Sequence, residues 1–494
     1  MGGAAFDGPL RRDQRLADHL AAEEALPADL RAPATEEIVF ERLEVEYGQK
    51  GLDGIGHGLI RLPVAMGLST SPPCGCQEKP EPAGKKRTTG LSEAADILIA
   101  GGGQVGLALA LALRQAAPDL AVTVAEGPAR AGQDAGRAFA VAAAGRRMLE
   151  RLGVWEVVAR DAQAIDDMII TDSRTRDVVR PVFLSFLGDR DEAAPFAHMV
   201  AGATMNEALR AAALAAGARL LSPAAVTDFR TGTASVAVDL DDGTTIEAGL
   251  LVAADGGRSK LRAFAGIGTV DWTYRQSGIV ATVAHERPHH GRAEEHFLPA
   301  GPFAFLPLAG NRGSLVWTEA SEDAARIVAD PLLFQLELER RLGHRLRPLE
   351  VVGKPRAFPL GLSLARHYVR PRFALAGDAA HTIHPIAGQG LNLGFRDVAA
   401  LAETIIDAHR LGLDPGSETV LRRYERWRRF DTFEMGVVTD SLNRLFSNDN
   451  PVLRLARDVG LGLVDRLPTL KTMFIGEAAG QGGDLPRLLR GEAI

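Results

Sequence analysis

The fold of this chain is decided by the stretch Asp96-Ile97-Leu98-Ile99-Ala100-Gly101-Gly102-Gly103-Gln104-Val105-Gly106. Its first five residues predict a short buried strand, and the Ala/Leu-rich run from Leu107 to Leu113 predicts a helix directly after the glycines. Gly101 permits a tight turn, Gly103 lets the backbone approach a pyrophosphate, and Gly106 allows the helix to pack closely on the strand. The stretch therefore predicts a dinucleotide-binding βαβ unit.

A second predicted strand, Ala121 to Ala125, ends at Glu126. This carboxylate follows the last glycine by about twenty residues, where an acidic side chain accepts hydrogen bonds from a ribose hydroxyl. The alternative for this motif taken alone is an ordinary βαβ turn with glycines at a helix start.

Two later glycine motifs support the same interpretation. The middle motif runs from Ala254 to Arg262, and the late motif begins at Gly377-Asp378 after a predicted strand, Phe373 to Ala376. The Asp378 carboxylate at the end of that strand can bind a ribityl hydroxyl of a flavin. Together the three motifs predict that the chain holds FAD from three sides.

The late motif continues through Pro385 to a predicted helix that opens at residues 386–392. The free N–H groups of a helix N-terminus stabilise the negative charge of a reduced flavin. Gly388 and Gly390 lack a Cβ, which allows the backbone to lie flat against a ring. We therefore expect Pro385, Gly388 and Gly390 to form the flavin-ring environment, with no obligate side-chain catalyst.

Composition excludes several other classes of function. The 494 residues suit two or three domains, and 56 Lys+Arg against 63 Asp+Glu give a net charge of −7, so we expect no nucleic-acid partner. The cysteines, Cys74 and Cys76, have no second pair or histidine cluster nearby, so no metal site or disulfide framework is expected. No apolar run approaches a membrane span and no signal pattern occurs, which predicts a cytoplasmic protein.

The order of the motifs predicts an α/β fold in which a Rossmann-like FAD-binding domain is interleaved with a sheet-rich substrate domain and followed by C-terminal helices. We expect strands at residues 279–283 and 314–318 in the sheet-rich domain. The predicted segments are an N-terminal, mostly flexible extension (1–92), a first FAD-binding segment (93–190), a second FAD-binding segment (191–265), the sheet-rich substrate domain (266–365), a third FAD-binding segment (366–410) and a C-terminal helical region (411–494). For residues 1–92, a small accessory module or an upstream start absent from the mature protein are the alternatives.

From about residue 95 to 480 the chain resembles the group A flavin monooxygenases of the para-hydroxybenzoate hydroxylase fold, and within them the ubiquinone-biosynthesis hydroxylases. The most specific match is the stretch from Gly377 to Asp397, and the segment from Glu295 to Leu308 resembles the sheet-domain signature of hydroxylases that act on polyprenylated phenols. Arg137 matches an arginine that the family uses near FAD and the nicotinamide path. The resemblance and the motifs together give these predicted cofactor-binding residues: Gly101, Gly103, Gly106, Glu126, Arg137, Asp255, Gly256, Ser259, Arg262, Gly377, Asp378, Gly390, Leu391 and Asn392.

The resemblance implies hydroxylation of a polyprenylated phenol through a C4a-hydroperoxyflavin, with O2 and NADPH or NADH as co-substrates. Because the chain has one dinucleotide fingerprint, the nicotinamide cofactor is expected to bind transiently. Four side chains are candidates for deprotonating a phenol, each with a purely structural role as the alternative: His198, Tyr274, His285 and His296.

Apolar residues between Leu442 and Phe474 recur at near-helical spacing among basic residues. They predict either helices packed on the enzyme's own core or a surface for a membrane or a ubiquinone-pathway protein. Two alternative functions remain open from the sequence: another redox enzyme of the same fold, and a non-catalytic pathway assembly factor that holds FAD only structurally.

Overall fold

The computed structural model describes residues 93–128, 137–173, 182–187, 195, 197–447 and 483–494. The predictions for residues 1–92, including Cys74 and Cys76, and for the apolar stretch beyond residue 447 lie outside the described residues.

Nineteen strands occur in the described ranges of the chain. In chain order they are β1 (Glu93–Ala100), β2 (Val122–Ala125), β3 (Ala138–Ala142), β4 (Gln163–Ile165), β5 (Asp167–Asp172), β6 (Val182–Leu187), β7 (Ala197–Ala201), β8 (Arg219–Leu221), β9 (Val226–Thr231), β10 (Val236–Leu240), β11 (Thr245–Ala253), β12 (Thr269–His285), β13 (Arg292–Leu298), β14 (Gly301–Leu308), β15 (Arg312–Ala320), β16 (Leu349–Ala365), β17 (Val369–Arg370), β18 (Phe373–Leu375) and β19 (His381–Thr382).

The helices of the same ranges are α1 (Gln104–Ala116), α2 (Ala143–Arg151), α3 (Trp155–Val158), α4 (Gly202–Ala215), α5 (Lys260–Phe264), α6 (Ser321–Ala329), α7 (Pro331–Leu342), α8 (Gln389–Arg410), α9 (Glu418–Phe446) and α10 (Arg487–Arg490). Single 3-10 turns cover Ala159–Asp161, Gly377–Ala379 and Ile386–Gly388.

The first sheet has the order β17-β18-β11-β1-β2-β8, with β10 paired to β11 and β9 paired to β10. Strands β18, β11, β1 and β2 run parallel to one another. The predicted strand and helix around the first glycine motif are confirmed as β1 and α1. Helix α1 is buried from Gly106 to Leu113, because its Ala/Leu surface packs in one core with β1 and α8.

The second sheet has the order β19-β16-β12-β15-β14-β13-β5-β6. The strands expected at 279–283 and 314–318 are confirmed inside β12 and β15. One face of this sheet forms a core in which Phe303, Phe305 and Trp317 pack with Phe334 of α7. Strands β5 and β6, from the first predicted FAD-binding segment, pair in this sheet, and the division of the chain into segments remains a prediction.

The other face of the large sheet packs against the three-stranded sheet β3-β7-β4. Ala293 and Met168 of the large sheet pack there with Ala138 and Ala140 of β3. Since β3 precedes α2 in the flavin-binding region of the chain, this contact joins the two predicted domains. Among the described residues, no helix has the length and apolar character needed to cross a membrane.

Candidate active site

The three glycine motifs meet at one edge of the first sheet. Ala100 at the end of β1 pairs with Ala253 of β11, and Ala253 pairs with Leu375 of β18. A Cβ atom on Gly101 would lie 2.2 Å from the carbonyl oxygen of Ala254, so the first and middle motifs are in direct contact. Ligands of open parallel sheets bind beyond the carboxyl ends of the strands, which is where all three motifs lie.

The first motif has the geometry of a pyrophosphate site. Gly103 is the N-cap of α1, and a Cβ built on it has no atom within 4 Å. A Cβ on Gly106 would lie 2.0 Å from the Gly101 carbonyl oxygen, so only glycine allows this close packing. The space beside Gly103 is therefore open next to the α1 N-terminus, whose first N–H groups have no partner within the helix and can bind a phosphate.

Glu126 lies beside this turn. A Cβ on Gly102 would come within 2.6 Å of the Glu126 carboxyl group, and the same carboxyl group is paired with Arg210 of α4. Sequence reasoning missed Arg210, because the two residues are 84 positions apart and no local pattern links them. The ion pair fixes the carboxylate next to the turn, as ribose binding requires.

The middle motif is held together by its own side chains. Asp255 is exposed, and Gly256 has a φ of +86° with no atom near its Cβ position. The Ser259 hydroxyl accepts a hydrogen bond from the Arg262 backbone N–H at 3.0 Å and caps α5. The Arg262 side chain donates to the Ala379 carbonyl at 2.8 Å and to the Gly257 carbonyl at 3.2 Å. The Arg262 side chain thus joins the middle motif to the late motif, and a direct contact of Ser259 or Arg262 with FAD remains a prediction.

Asp397 on α8 fixes the turn of the late motif. Its Oδ2 atom accepts hydrogen bonds from the Gly377 N–H at 2.8 Å and from the His381 ring at 2.6 Å. Its Oδ1 atom accepts from the Arg428 side chain at 2.8 Å. Asp397 is fully buried, yet the positive charges of His381 and Arg428 outweigh burial and hold its pKa below the usual value. Asp378 is exposed beside this fixed turn and free to reach a ligand.

The loop after Pro385 differs at its two glycines. Gly388 has a φ of +65°, donates its N–H to the Pro385 carbonyl at 3.1 Å, and would place a Cβ 3.2 Å from that of Ala140. Gly390 lies in the first turn of α8 with open space at its Cβ position. The open side of Gly390 is therefore available to a flat ring.

Asn392 locks this loop to β3. Its side-chain oxygen accepts from the Ala142 N–H at 3.0 Å, and its side-chain nitrogen donates to the carbonyls of Ala140 at 2.9 Å and Gly388 at 3.3 Å. Its polar atoms therefore position the loop, and the predicted contact with the flavin is untested. Leu391 is buried in the core of the first sheet, and its predicted role in cofactor binding is equally untested.

Arg137 lies at the start of β3. Its side chain is exposed over the Phe139 ring at 4.6 Å, and its backbone carbonyl accepts a hydrogen bond from Gly202 at 2.8 Å. The side chain therefore remains available for the predicted role near the cofactor.

The four candidate bases lie in different environments. His198 packs edge-on against Trp155, away from the face of β7 that meets the large sheet. His285 contacts His289 near one end of β12, and His296 accepts or donates a 2.8 Å hydrogen bond with Thr171 and stacks on Phe303. Tyr274 lies near the loop after Pro385. Its ring is in edge contact with the His384 ring, with the two centroids 5.3 Å apart.

His384 has neither ring nitrogen hydrogen-bonded within the described structure. Burial lowers its pKa to about 4, so the ring is neutral at pH 7. His384 lies within the stretch from Gly377 to Asp397, and the sequence analysis gave it no role.

Comparisons with known proteins identify the family of this chain. The family model described as "FAD binding domain" matches residues 94–431. The chain is 44% identical to the ubiquinone hydroxylase UbiL of Rhodospirillum rubrum, over 87% of this chain and 99% of that protein. It is 37% identical to the 3-demethoxyubiquinol 3-hydroxylase of Escherichia coli, over 78% of this chain and 98% of that protein.

Among solved structures, p-nitrophenol 4-monooxygenase PnpA of Pseudomonas putida superposes with a TM-score of 0.68 at 20% identity, covering 80% of this chain and all of that one. That likeness confirms the fold. With the three converging glycine motifs, the comparisons define an FAD-dependent monooxygenase. The chain belongs to the family of FAD-dependent hydroxylases of ubiquinone biosynthesis.

Proposed function

We propose that this enzyme hydroxylates the ring of a polyprenylated phenol, using one O2 and one NADPH or NADH. The observation that carries the proposal is a row of side chains on the face of the large sheet that meets the flavin-binding region of the chain. The row crosses five strands, and its apolar members are Ile170 on β5, Ala304 on β14, Val316 on β15 and Val280 on β12. All four are only half-buried, although they lie in the middle of the sheet.

This apolar row suits a phenol with an isoprenoid tail. Glu295 completes it between Ile170 and Ala304, so one carboxyl group lies in an otherwise apolar strip. Each CH2 group that an isoprenoid tail buries contributes about 0.8 kcal/mol. A long tail exceeds a typical pocket of roughly 300 to 1,000 Å³ and must continue beyond it.

The chain's own residues fit FAD. In the proposal, the α1 N-terminus and Gly103 bind the pyrophosphate, Glu126 and Asp378 bind hydroxyl groups, and the open side of Gly390 faces the ring. Bound FAD would supply the activated oxygen after reduction by a transiently bound nicotinamide. The protein supplies position, exclusion of water and the fixed dipole of the α8 N-terminus.

We also propose that the tail emerges toward a lipid surface that the enzyme contacts peripherally. Phe430 and Phe433 of α9 are 73% and 48% exposed, which supports an apolar contact on this helix. A ubiquinone-pathway protein bound to the same helix is the other partner that this exposure supports.

The test compares ring hydroxylation of matched phenols with and without a prenyl tail, in detergent or with vesicles. We expect a much lower KM for the tailed phenol and chemical competence for both. A quinone-lipid profile of a deletion strain then identifies the ring carbon from the accumulated intermediate. Equal catalytic efficiency with both phenols, or normal ubiquinone in the deletion strain, would contradict the proposed substrate.

A further inference from the structure

Glu295 is an enclosed carboxyl group on the substrate-facing side of the large sheet. Side chains alternate along β13, so Ala293, Glu295 and Phe297 share one face while Glu294 and His296 share the other. Ala293 packs with Met168 against the three-stranded sheet, which fixes the direction of this face. Glu295 retains only 3% of its accessible surface.

The surroundings of Glu295 place it on the side of the sheet that faces the loop after Pro385. Its direct neighbours across the sheet, Ile170 and Ala304, are half-buried, so open space adjoins the row. Ile170 packs in the same cluster as Ala140 of β3. Ala140 is in turn the nearest residue to the Cβ position of Gly388. The carboxyl group thus borders the region between the sheet and the loop where the ring of FAD is proposed to lie.

Glu295 has no hydrogen bond or ion pair with any residue that the structure describes, whereas its neighbour Glu294 pairs with Arg345 and lies 3.5 Å from His296. Asp172 is the ionisable side chain next to Glu295 on its own face, opposite Phe297. The remaining neighbours from β3, β7 and β14 on this face are apolar. Burial alone raises the pKa of Glu295 to about 7, with no contribution from another charge.

A buried carboxyl group with no partner among the described residues is costly to fold around, so its presence here points to a ligand or a reaction. We propose that Glu295 is the catalytic base that receives the hydroxyl proton of the phenol. The inference rests on the proposed function and assigns the one step that the glycine motifs leave open. The interactions described for those motifs assign no side chain to this proton transfer.

Atoms and electrons balance in this proton transfer. The phenol O–H bond breaks while the ring carbon forms a bond to the electrophilic oxygen derived from O2. The O–O bond of that oxygen breaks at the same time, and its electron pair leaves on the departing oxygen. The electron pair of the O–H bond flows through the ring to that carbon, and the proton bonds to the Glu295 carboxylate. When the ring carbon loses its own hydrogen to water, Glu295 returns the proton to the substrate oxygen and the ring becomes aromatic again. A group that titrates near the working pH suits both directions of transfer.

The experiment compares the FAD-loaded wild-type enzyme with Glu295→Gln, using a tailed phenol. Glutamine keeps the size and hydrogen-bonding capacity of the side chain but accepts no proton. We expect kcat for hydroxylation to fall roughly 10²- to 10⁴-fold with little change in KM. The wild-type rate should rise with pH through about 7, and the variant should lack this limb.

Glu294→Gln is the matched control, because that carboxyl group lies on the opposite face of the same strand. It should keep the pH limb. A second measurement does not depend on turnover: infrared difference spectra of the holoenzyme should show one protonated carboxyl group that titrates near pH 7 in the wild type and in Glu294→Gln, but not in Glu295→Gln.

Retention of both the rate and the pH limb in Glu295→Gln would overturn the role of Glu295, even where the wild type hydroxylates the tailed phenol. Absence of the infrared titration from the wild type would overturn it as well. If the wild type hydroxylated no tailed phenol, the proposed function itself would fail and the substrate base with it.

Discussion

Asp378 and Asp397 divide the work of the late motif between two carboxyl groups. Asp397 is fully buried and uses its oxygens to bind Gly377, His381 and Arg428, so it fixes the turn. Asp378 is exposed next to that turn and remains available to a ligand. Asp397 thus holds the turn in place, whereas Asp378 is positioned to bind a ligand.

We predict that Asp378→Ala weakens FAD binding without unfolding the protein. Loss of a hydrogen bond to a charged group costs about 1.5 to 3 kcal/mol, which corresponds to roughly 10- to 150-fold in Kd. Fluorescence titration of the apoprotein with FAD measures the change. Because Asp378 is exposed, the melting temperature of the apoprotein serves as the control and should be unchanged. Wild-type affinity in this variant would contradict the assignment of the late motif.

A second prediction at the residue scale concerns stability. The pKa of Glu295 is raised from 4.5 to about 7 in the folded state, so the folded protein binds more protons than the unfolded chain between these values. The contribution of Glu295 to the free energy of unfolding is therefore fully present below about pH 4.5. As the pH rises through 7, the free energy of unfolding falls by roughly 3 kcal/mol. Glu295→Gln should remove this loss and unfold at higher denaturant concentration than the wild type at pH 8, but not at pH 4.5.

Glu294→Gln should have the opposite effect on stability at pH 8. Burial opposes ionisation of Glu294, but its contacts with His296 and Arg345 hold its pKa below the usual value. Replacing it removes a stabilising ion pair and lowers stability at pH 8. Denaturant unfolding of the three proteins at both pH values provides the measurement, and a Glu295→Gln protein less stable than the wild type at pH 8 would contradict the pKa.

At the scale of elements, the loop before α8 depends on two glycines for different reasons. Gly388 adopts a left-handed conformation and packs against Ala140, whereas Gly390 is helical and faces open space. We predict that Gly390→Val preserves the fold but weakens FAD binding or slows flavin reduction roughly tenfold, because the branched side chain occupies the position of the ring. Stopped-flow absorbance and FAD titration measure both effects.

Gly388→Val is the contrasting variant, because a branched residue at a φ of +65° is strained whatever lies beside it. It should lose thermal stability as well as flavin reduction. Wild-type reduction and FAD affinity in a well-folded Gly390→Val protein would show that this loop does not touch the ring.

The elements that carry the glycine motifs were predictable from sequence, because each motif lies between an apolar strand and a helix start and its signal is local. The residues that pair with those motifs were not predictable, because they are distant in the sequence. Arg210 reaches Glu126 across 84 residues, and Arg428 reaches Asp397 from a different helix. The sequence analysis named Glu295 only as part of a family signature and gave it no role. The face of the sheet on which it lies, and the residues around it, depend on strand register. Long-range pairing also places β5 in the large sheet, where periodicity alone cannot assign it.

At the scale of the whole molecule, α9 connects the late glycine motif to the large sheet, and the proposed reaction depends on both. Its 29 residues span about 43 Å. Near its start, Tyr424 donates to the Leu375 carbonyl at 2.8 Å, and Arg428 holds Asp397. Near its end, Asn443 donates to Gln276 of β12 at 3.0 Å. One helix therefore sets the position of the large sheet relative to the late glycine motif.

The end of α9 also closes the substrate-facing side of the sheet. Phe446 stacks on Phe297 with ring centroids 4.2 Å apart, two residues beyond Glu295 on β13. Phe446 is 3% exposed. This stack covers the sheet beside Glu295, one step along β13 from the apolar row. We expect it to limit the entry of water to the space in front of Glu295, because water promotes the loss of activated oxygen before hydroxylation.

We therefore predict that Phe446→Ala leaves FAD affinity and flavin reduction near wild type but lowers the fraction of consumed NAD(P)H that yields hydroxylated product. The truncation opens the side of the row next to Glu295 to water and costs about 3 kcal/mol of stability through the cavity it leaves. Product and NAD(P)H are measured in the same reaction, with hydrogen peroxide as the expected by-product. Phe446→Leu, which retains most of the volume, should fall between the two proteins, and Val437→Ala, at a 47% exposed position of the same helix, should couple normally. Full coupling in a folded Phe446→Ala protein would show that the stack does not seal the substrate space.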